Sequence, residues 1–236
     1  MNTRSLLDQL LSAGKDLLQN QQGNSQPRQP AAPGNNSPLG GMLGSIGGGA
    51  LGGGAVSLLL GSKKARKMGG KVITYGGLAA LGVVAYKAYS NWQQKQNQPG
   101  APAIEPPLRT VDRVPAAEVE QHSQAILRAV IGAAKADGHI DDRERELIDG
   151  EIAKLTTDAQ LTQWFDQELR KPLDPADIAQ SASTPEMAAE MYLASLIMVD
   201  EENYMERAYL DELARQLKLE PGLKSELESQ ALAAQR

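Results

Sequence analysis

Two acidic turns in the second half of the chain carry the residues best suited to chemistry. In the first turn, Asp137, His139 and Asp141 alternate along the chain, as the first three ligands of a calcium-binding loop do. That loop also needs Gly at its sixth position and Glu at its twelfth, where this chain has Asp142 and Ile148, so an EF-hand is excluded. Carboxylates drawn from both turns would still suit a hard divalent cation such as Ca²⁺ or Mg²⁺.

The acidic turns lie in two similar helical hairpins. In residues 126–148 and again in 192–210, a long apolar stretch ends in an Asp, and a Glu-Arg pair then opens the next helix. A duplicated hairpin places the two acidic turns where they could face each other. The pattern therefore predicts an architecture, but it does not define a reaction.

A purely structural interpretation also accounts for the first turn. Gly138 ends the first helix in the left-handed conformation, Asp141 caps the second helix, and Glu144 completes a capping box. Asn203 and Glu206 repeat the same spacing in the second turn. Capping and metal binding both remain open for these residues.

The chain from Ala116 onward predicts an all-α domain, because it has helical periodicity and no strand pattern. Helix starts are marked by Asp174-Pro175, Thr184-Pro185 and Pro221. The first and fifth helices are apolar almost all round and should form the buried centre. We expect residues 116–236 to fold as a unit with seven helices, over 116–136, 142–156, 158–171, 175–182, 185–199, 204–218 and 222–235.

Charge divides the chain into two unlike halves. Residues 1–115 contain 12 Lys and Arg against 4 Asp and Glu, whereas residues 116–236 contain 12 against 25. The front half therefore suits an anionic surface, and the back half would be repelled by one. The absence of cysteine excludes disulfides, thiol catalysis and Cys-based zinc sites.

The first 38 residues predict a short amphipathic helix over 5–19, docking on a partner or on lipid, followed by a flexible Gln/Pro/Asn-rich linker. Residues 39–90 predict a membrane-associated region. Within it, residues 39–61 carry no charge and are long enough to cross a bilayer as a helix. A flexible glycine-rich linker is the alternative for this stretch.

Small residues recur every four positions in the uncharged stretch, at Gly40, Gly44, Gly48 and Gly52. This spacing favours close packing of helices in lipid, and so predicts a homo-oligomer. A basic cluster over 63–71 then indicates lipid headgroups rather than nucleic acid as its counter-charge, because it lacks interleaved aromatic residues. A shorter apolar run, 72–86, is a second candidate span, and 91–115 reads as a Pro/Gln-rich linker.

Catalytic signatures are weak. His122 and His139 have no Ser or Asp neighbours that would indicate a triad, and the glycines lack the spacing of a phosphate-binding loop. We treat His122 as an ordinary residue of the first helix. The sequence predicts no enzyme.

The residues of the two turns resemble the tellurite-resistance TerB-like domain, through residues 136–144 in the first hairpin and 200–214 in the second. The whole chain is similar to the YebE-like inner-membrane proteins of unknown function (domain-of-unknown-function family 533). The resemblance implies an all-helical domain tethered to a bacterial inner membrane. By position it implies metal ligands at Asp137, Asp141, Glu144, Asp200 and Glu206. The second turn departs from the pattern, since Asp200 is not followed by Gly.

Two functional hypotheses follow. The first is a membrane-tethered interaction or envelope-stress protein, whose acidic domain recruits a protein partner and binds a divalent cation. The second is a soluble, tellurite-resistance-like metal-binding protein with a disordered N-terminal tail. If residues 39–61 alone span the membrane, the positive-inside rule puts the C-terminal domain in the cytoplasm; a span over 72–86 puts it in the periplasm. The resemblance favours the cytoplasm.

Overall fold

The computed structural model describes residues 3–8, 77–96, 108–137, 140, 142–199 and 203–234, and these residues form helices and turns without a β-strand. The predicted all-α class is therefore confirmed. The uncharged stretch 39–61, with the four regularly spaced glycines named above, lies outside the described residues. The helices are α1 (residues 3–8), α2 (Gly77–Gln96), α3 (Ala116–Ala134), α4 (Asp142–Leu155), α5 (Ala159–Arg170), α6 (Pro175–Ala179), α7 (Pro185–Met198), α8 (Tyr204–Gln216) and α9 (Pro221–Ala234).

Local capping signals set the helix starts as predicted. The Asp174 side chain accepts from the Ala176 N–H at 2.8 Å, and Thr184 Oγ1 accepts from the Met187 N–H at 3.2 Å. α9 begins at Pro221. The Asp174 and Thr184 side chains each satisfy an N–H that has no partner within its helix. The seven helices predicted from Ala116 onward correspond to α3–α9.

Helix α7 is the centre of the fold. Every residue from Met187 to Met198 is buried, and α7 contacts α2, α3, α8 and α9. Its most extensive interface is with α3, whose buried face runs from Val119 to Ala133. The predicted pair of central helices is confirmed, because a helix that is apolar all round must be covered on every side.

Besides the α3–α7 interface, the two hairpins also meet where α3 approaches α8. A Cβ added to Gly132 would lie 2.7 Å from the Tyr209 hydroxyl and 2.4 Å from Ile178 Cδ1. Glycine therefore permits an approach that a larger residue would block. This contact joins the first hairpin (α3–α4) to the second (α7–α8).

Helix α1 packs against its own chain. Leu6 and Leu7 are buried, and Glu120 of α3 accepts hydrogen bonds from the N–H groups of Thr3 and Arg4 at 2.7 and 3.3 Å. Asp8 in turn accepts from the Leu78 N–H at the start of α2. Glu120 of α3 thus caps the start of α1, and Asp8 of α1 caps the start of α2.

Helix α2 packs along α9 and α7. Its residues Leu78, Leu81, Ala85 and Ala88 are buried, and so belong to the same core as α3 and α7. The hydrophobic core therefore extends beyond the boundary expected at residue 116. No helix among the described residues is long and apolar enough to cross a membrane.

Candidate functional site

The structure describes only part of the predicted metal site. Asp137 is exposed in the turn after α3, and Glu206 is buried in the first turn of α8. Asp141, Asp200 and the side chain of Glu144 lie outside the described residues. The described residues alone contain no group of three His, Asp or Glu side chains able to hold a metal ion. Since three of the five predicted ligands are not among them, the site remains a prediction.

Glu206 takes part in capping α8. Asn203 Oδ1 accepts from the Met205 N–H at 2.9 Å, and Asn203 Nδ2 donates to Glu206 Oε1 at 3.2 Å. The contact resembles a capping box, although Glu206 meets the side chain of Asn203 rather than its backbone N–H. The structural interpretation of the second turn is thus supported at this residue.

A buried His–Glu pair lies between the two central helices. His122 Nδ1 of α3 is 2.6 Å from Glu190 Oε2 of α7, and the two side chains are 4% and 0% exposed. Glu190 Oε1 accepts from the Val111 N–H. Burial raises the pKa of Glu190, and the hydrogen bonds from His122 and Val111 oppose this rise.

Sequence reasoning did not single out Glu190, and it treated His122 as an ordinary helix residue. The available signal was a lone acidic residue in the middle of an otherwise apolar helix, since a carboxylate there needs a partner. The partner could not be identified, because His122 is 68 residues away along the chain.

The pair holds a turn that supports α2. Residues 111–114 form this turn, and Thr110 Oγ1 donates to Asp112 Oδ1 at 2.6 Å within it. A Cβ added to Gly82 of α2 would lie 2.6 Å from Asp112 Oδ1, so α2 and the turn are in close contact. Arg113 stacks on the Tyr86 ring, 3.6 Å from its centroid.

A second polar cluster lies between α3 and α5. Glu168 is 2.7 Å from both Arg128 Nη2 and Lys171 Nζ. The buried Lys135 ammonium donates to the backbone oxygens of Glu168 and Lys171 at the end of α5, and burial lowers its pKa. The adjoining cavity of about 20 Å³ has room for a water but not for an organic ligand. This cluster therefore caps a helix end.

A larger groove opens between α2, the α6–α7 connection and the α8–α9 connection. It has a volume of about 600 Å³. Tyr89 and Trp92 of α2 form one wall, with their rings edge to face and 5.3 Å between centroids. The rest of the lining is apolar or uncharged except for Lys218 and Glu220. A surface with so few titratable groups suits recognition of an uncharged segment better than acid–base chemistry.

Comparison with known proteins relates the chain to proteins of unknown function. It is 31% identical over 112 residues to an "Uncharacterized protein in ampR 5'region" of Yersinia enterocolitica, an alignment that covers 48% of this chain and 81% of the relative. No solved structure was found to match this chain. The family described as "Protein of unknown function (DUF533)" matches residues 45–231. The chain therefore belongs to the DUF533 family.

Proposed function

We propose that this protein is a membrane-tethered interaction protein that binds a partner through the groove beside Tyr89 and Trp92. No reaction is assigned to it. The observation that carries the proposal is the groove itself: a volume of about 600 Å³ lies within the range of binding pockets, and its lining combines two aromatic rings and aliphatic side chains with polar groups. In keeping with the resemblance to TerB-like domains, we also propose that the acidic turns bind a divalent cation.

The lining defines the partner's chemistry. Lys218 and Glu220 carry opposite charges, so the groove has no net charge, although residues 116–236 are strongly acidic as a whole. An acidic partner segment would be repelled by the domain. A basic segment would find only one carboxylate in the groove, that of Glu220. The occupant that fits is an uncharged, apolar segment of another protein, anchored against the two aromatic rings.

The tether is proposed from the front half of the sequence. The uncharged stretch 39–61 is followed by the basic cluster 63–71, which suits anionic lipid headgroups. α2, which supplies the aromatic wall of the groove, begins at Gly77 soon after this cluster. A partner in the groove would therefore be held close to the membrane. We place the protein in a bacterial inner membrane, with the helical domain in the cytoplasm.

Site-specific photo-crosslinking in cells tests the groove. A crosslinking amino acid at Gln180, in the groove lining, should give one discrete adduct, while the same group at exposed Gln163 of α5 should not. The adduct should be lost when Ala182→Trp fills the groove, and Gln163→Trp serves as the matched control. The captured protein is then purified and its binding to the full chain measured. Equal adducts at both positions, or binding unaffected by Ala182→Trp, would contradict the proposal.

Extraction tests the tether separately. The full chain should leave the membrane fraction with detergent but not with high salt. Release by salt alone would favour the alternative, a soluble metal-binding protein.

A further inference from the structure

We propose that the His122–Glu190 pair is a proton-sensitive latch that holds residues 108–115 and the first half of α2 on the bundle. The pair lies at the junction of α3, α7 and this segment. It belongs to no site assigned above, and the proposal does not depend on a partner in the groove.

The contact requires a single proton between its two atoms. At 2.6 Å, His122 Nδ1 and Glu190 Oε2 can share one hydrogen bond, with either atom as donor. A neutral imidazole can keep the bond by carrying its proton on Nε2, so two donors face each other only when the ring is protonated on both nitrogens and Glu190 is a neutral acid. A buried imidazolium is then left beside a neutral acid, which is a costly arrangement in a site that water does not reach. Acidification therefore opens the pair.

The surrounding charges leave His122 as the main partner of Glu190. From the turn, Asp112 adds a negative charge that acts on Glu190, and Arg113 pairs with Asp112 at 3.4 Å. On α3, Glu118 pairs with Arg109, and Glu120 is bound to the start of α1. On α2, Tyr86 lies under Arg113. On α9, Glu226 pairs with Lys95 at the other end of α2, and Glu228 pairs with Lys224.

The segment that the latch controls is the turn. Its Val111 N–H donates to Glu190, and its Val111 and Asp112 side chains contact Gly82 of α2. The salt bridge between Arg109 and Glu118 is partly exposed and so contributes little. Opening the pair would free the Val111 N–H and loosen the contact with Gly82. The second half of α2 would stay in place, because Asn91 and Lys95 bind Glu226 of α9.

Hydrogen exchange of the full chain in detergent tests the latch. Protection of residues 108–114, corrected for intrinsic rates, should fall about tenfold or more as the pH drops from roughly 8 to 5, while residues 185–198 stay protected. Constant protection of 108–114 across this range would overturn the proposal, whatever the variants show.

Two substitutions should act in opposite directions. His122→Gln supplies an amide that can donate to the Glu190 carboxylate or accept from the neutral acid, so the contact survives in both states and protection of 108–114 should no longer depend on pH. Glu190→Gln keeps an acceptor for the Val111 N–H but removes the counter-charge of the imidazolium, so opening should begin at less acid pH. His139→Gln, which alters the other of the two histidines, is the control and should behave as the wild type. If His122→Gln retains the wild-type pH dependence, His122 is not the sensor and the latch is refuted.

Discussion

The crossing of α3 and α8 at Gly132 permits a quantitative test of how the two hairpins are joined. Gly132→Ala would place a methyl group 2.7 Å from the Tyr209 hydroxyl and 2.4 Å from the flexible end of Ile178. Overpacking of this kind costs about 1–3 kcal/mol. Alanine gains roughly 1 kcal/mol over glycine within a helix. We therefore expect a net loss of stability of up to about 2 kcal/mol.

The Tyr209 hydroxyl supplies the second arm of a double-mutant cycle. It is buried with no hydrogen bond of ordinary geometry among the described residues, and burial raises its pKa against a smaller opposing effect of the Ser195 side chain, so it stays protonated. Tyr209→Phe should therefore leave stability unchanged or raise it by up to about 1 kcal/mol. In the Gly132→Ala background the same change also relieves the closest polar contact, so the double variant should recover about 1 kcal/mol more than additivity predicts.

Urea unfolding of the full chain in a mild detergent, followed by circular dichroism, measures the wild type and the three variants, provided that the transition is two-state. The geometry at the crossing would be refuted if the two effects added within about 0.3 kcal/mol. It would also be refuted if Gly132→Ala stabilised the protein.

Three further predictions concern other parts of the fold. Leu7→Ala should cost about 2–5 kcal/mol because the side chain is fully buried, whereas exposed Leu232→Ala should change stability by less than about 0.5 kcal/mol; equal effects would show that α1 is not docked. Hydrogen bonds, chiefly from Lys95, lower the pKa of Glu226 to about 2, so its contribution is present above the ordinary pKa of a Glu and is lost as the pH falls below it. Glu226→Gln should flatten that acid loss in a melting series, and an unchanged series would contradict the contact. Millimolar Ca²⁺, Mg²⁺ or Mn²⁺ should raise the melting temperature, and Asp200→Asn should abolish the rise; Asp141→Ala should cost roughly 1 kcal/mol even without metal, because it also removes a helix cap. A melting curve that no ion moves would exclude the metal site.

The features of the fold that depend on residues close together in the sequence could be predicted from it. Asp174, Thr184 and Asn203 cap helices by accepting from N–H groups two or three residues away. A short stretch of sequence therefore contains both partners of each hydrogen bond. The burial of α7 also follows from its own composition, because it has no polar face to turn towards water.

The parts that depend on distant residues could not be predicted. Glu190 finds His122 and the Val111 N–H only once α3 and α7 are packed together. The groove is formed by segments from three regions of the chain, none of which shows an unusual pattern alone. α2 looked like a short membrane-associated run because apolar residues that cover a protein core and those that face lipid are alike in sequence.

The hydrogen bonds between α1 and Glu120 have a consequence for biosynthesis. Thr3 and its acceptor are 117 residues apart, so α1 leaves the ribosome long before the helix that receives it. At about 5–20 residues per second, the delay is on the order of 6–23 seconds. During that interval α1 lacks the Glu120 acceptor of its first N–H groups. Helix α1 therefore cannot reach its native position until α3 has been synthesised.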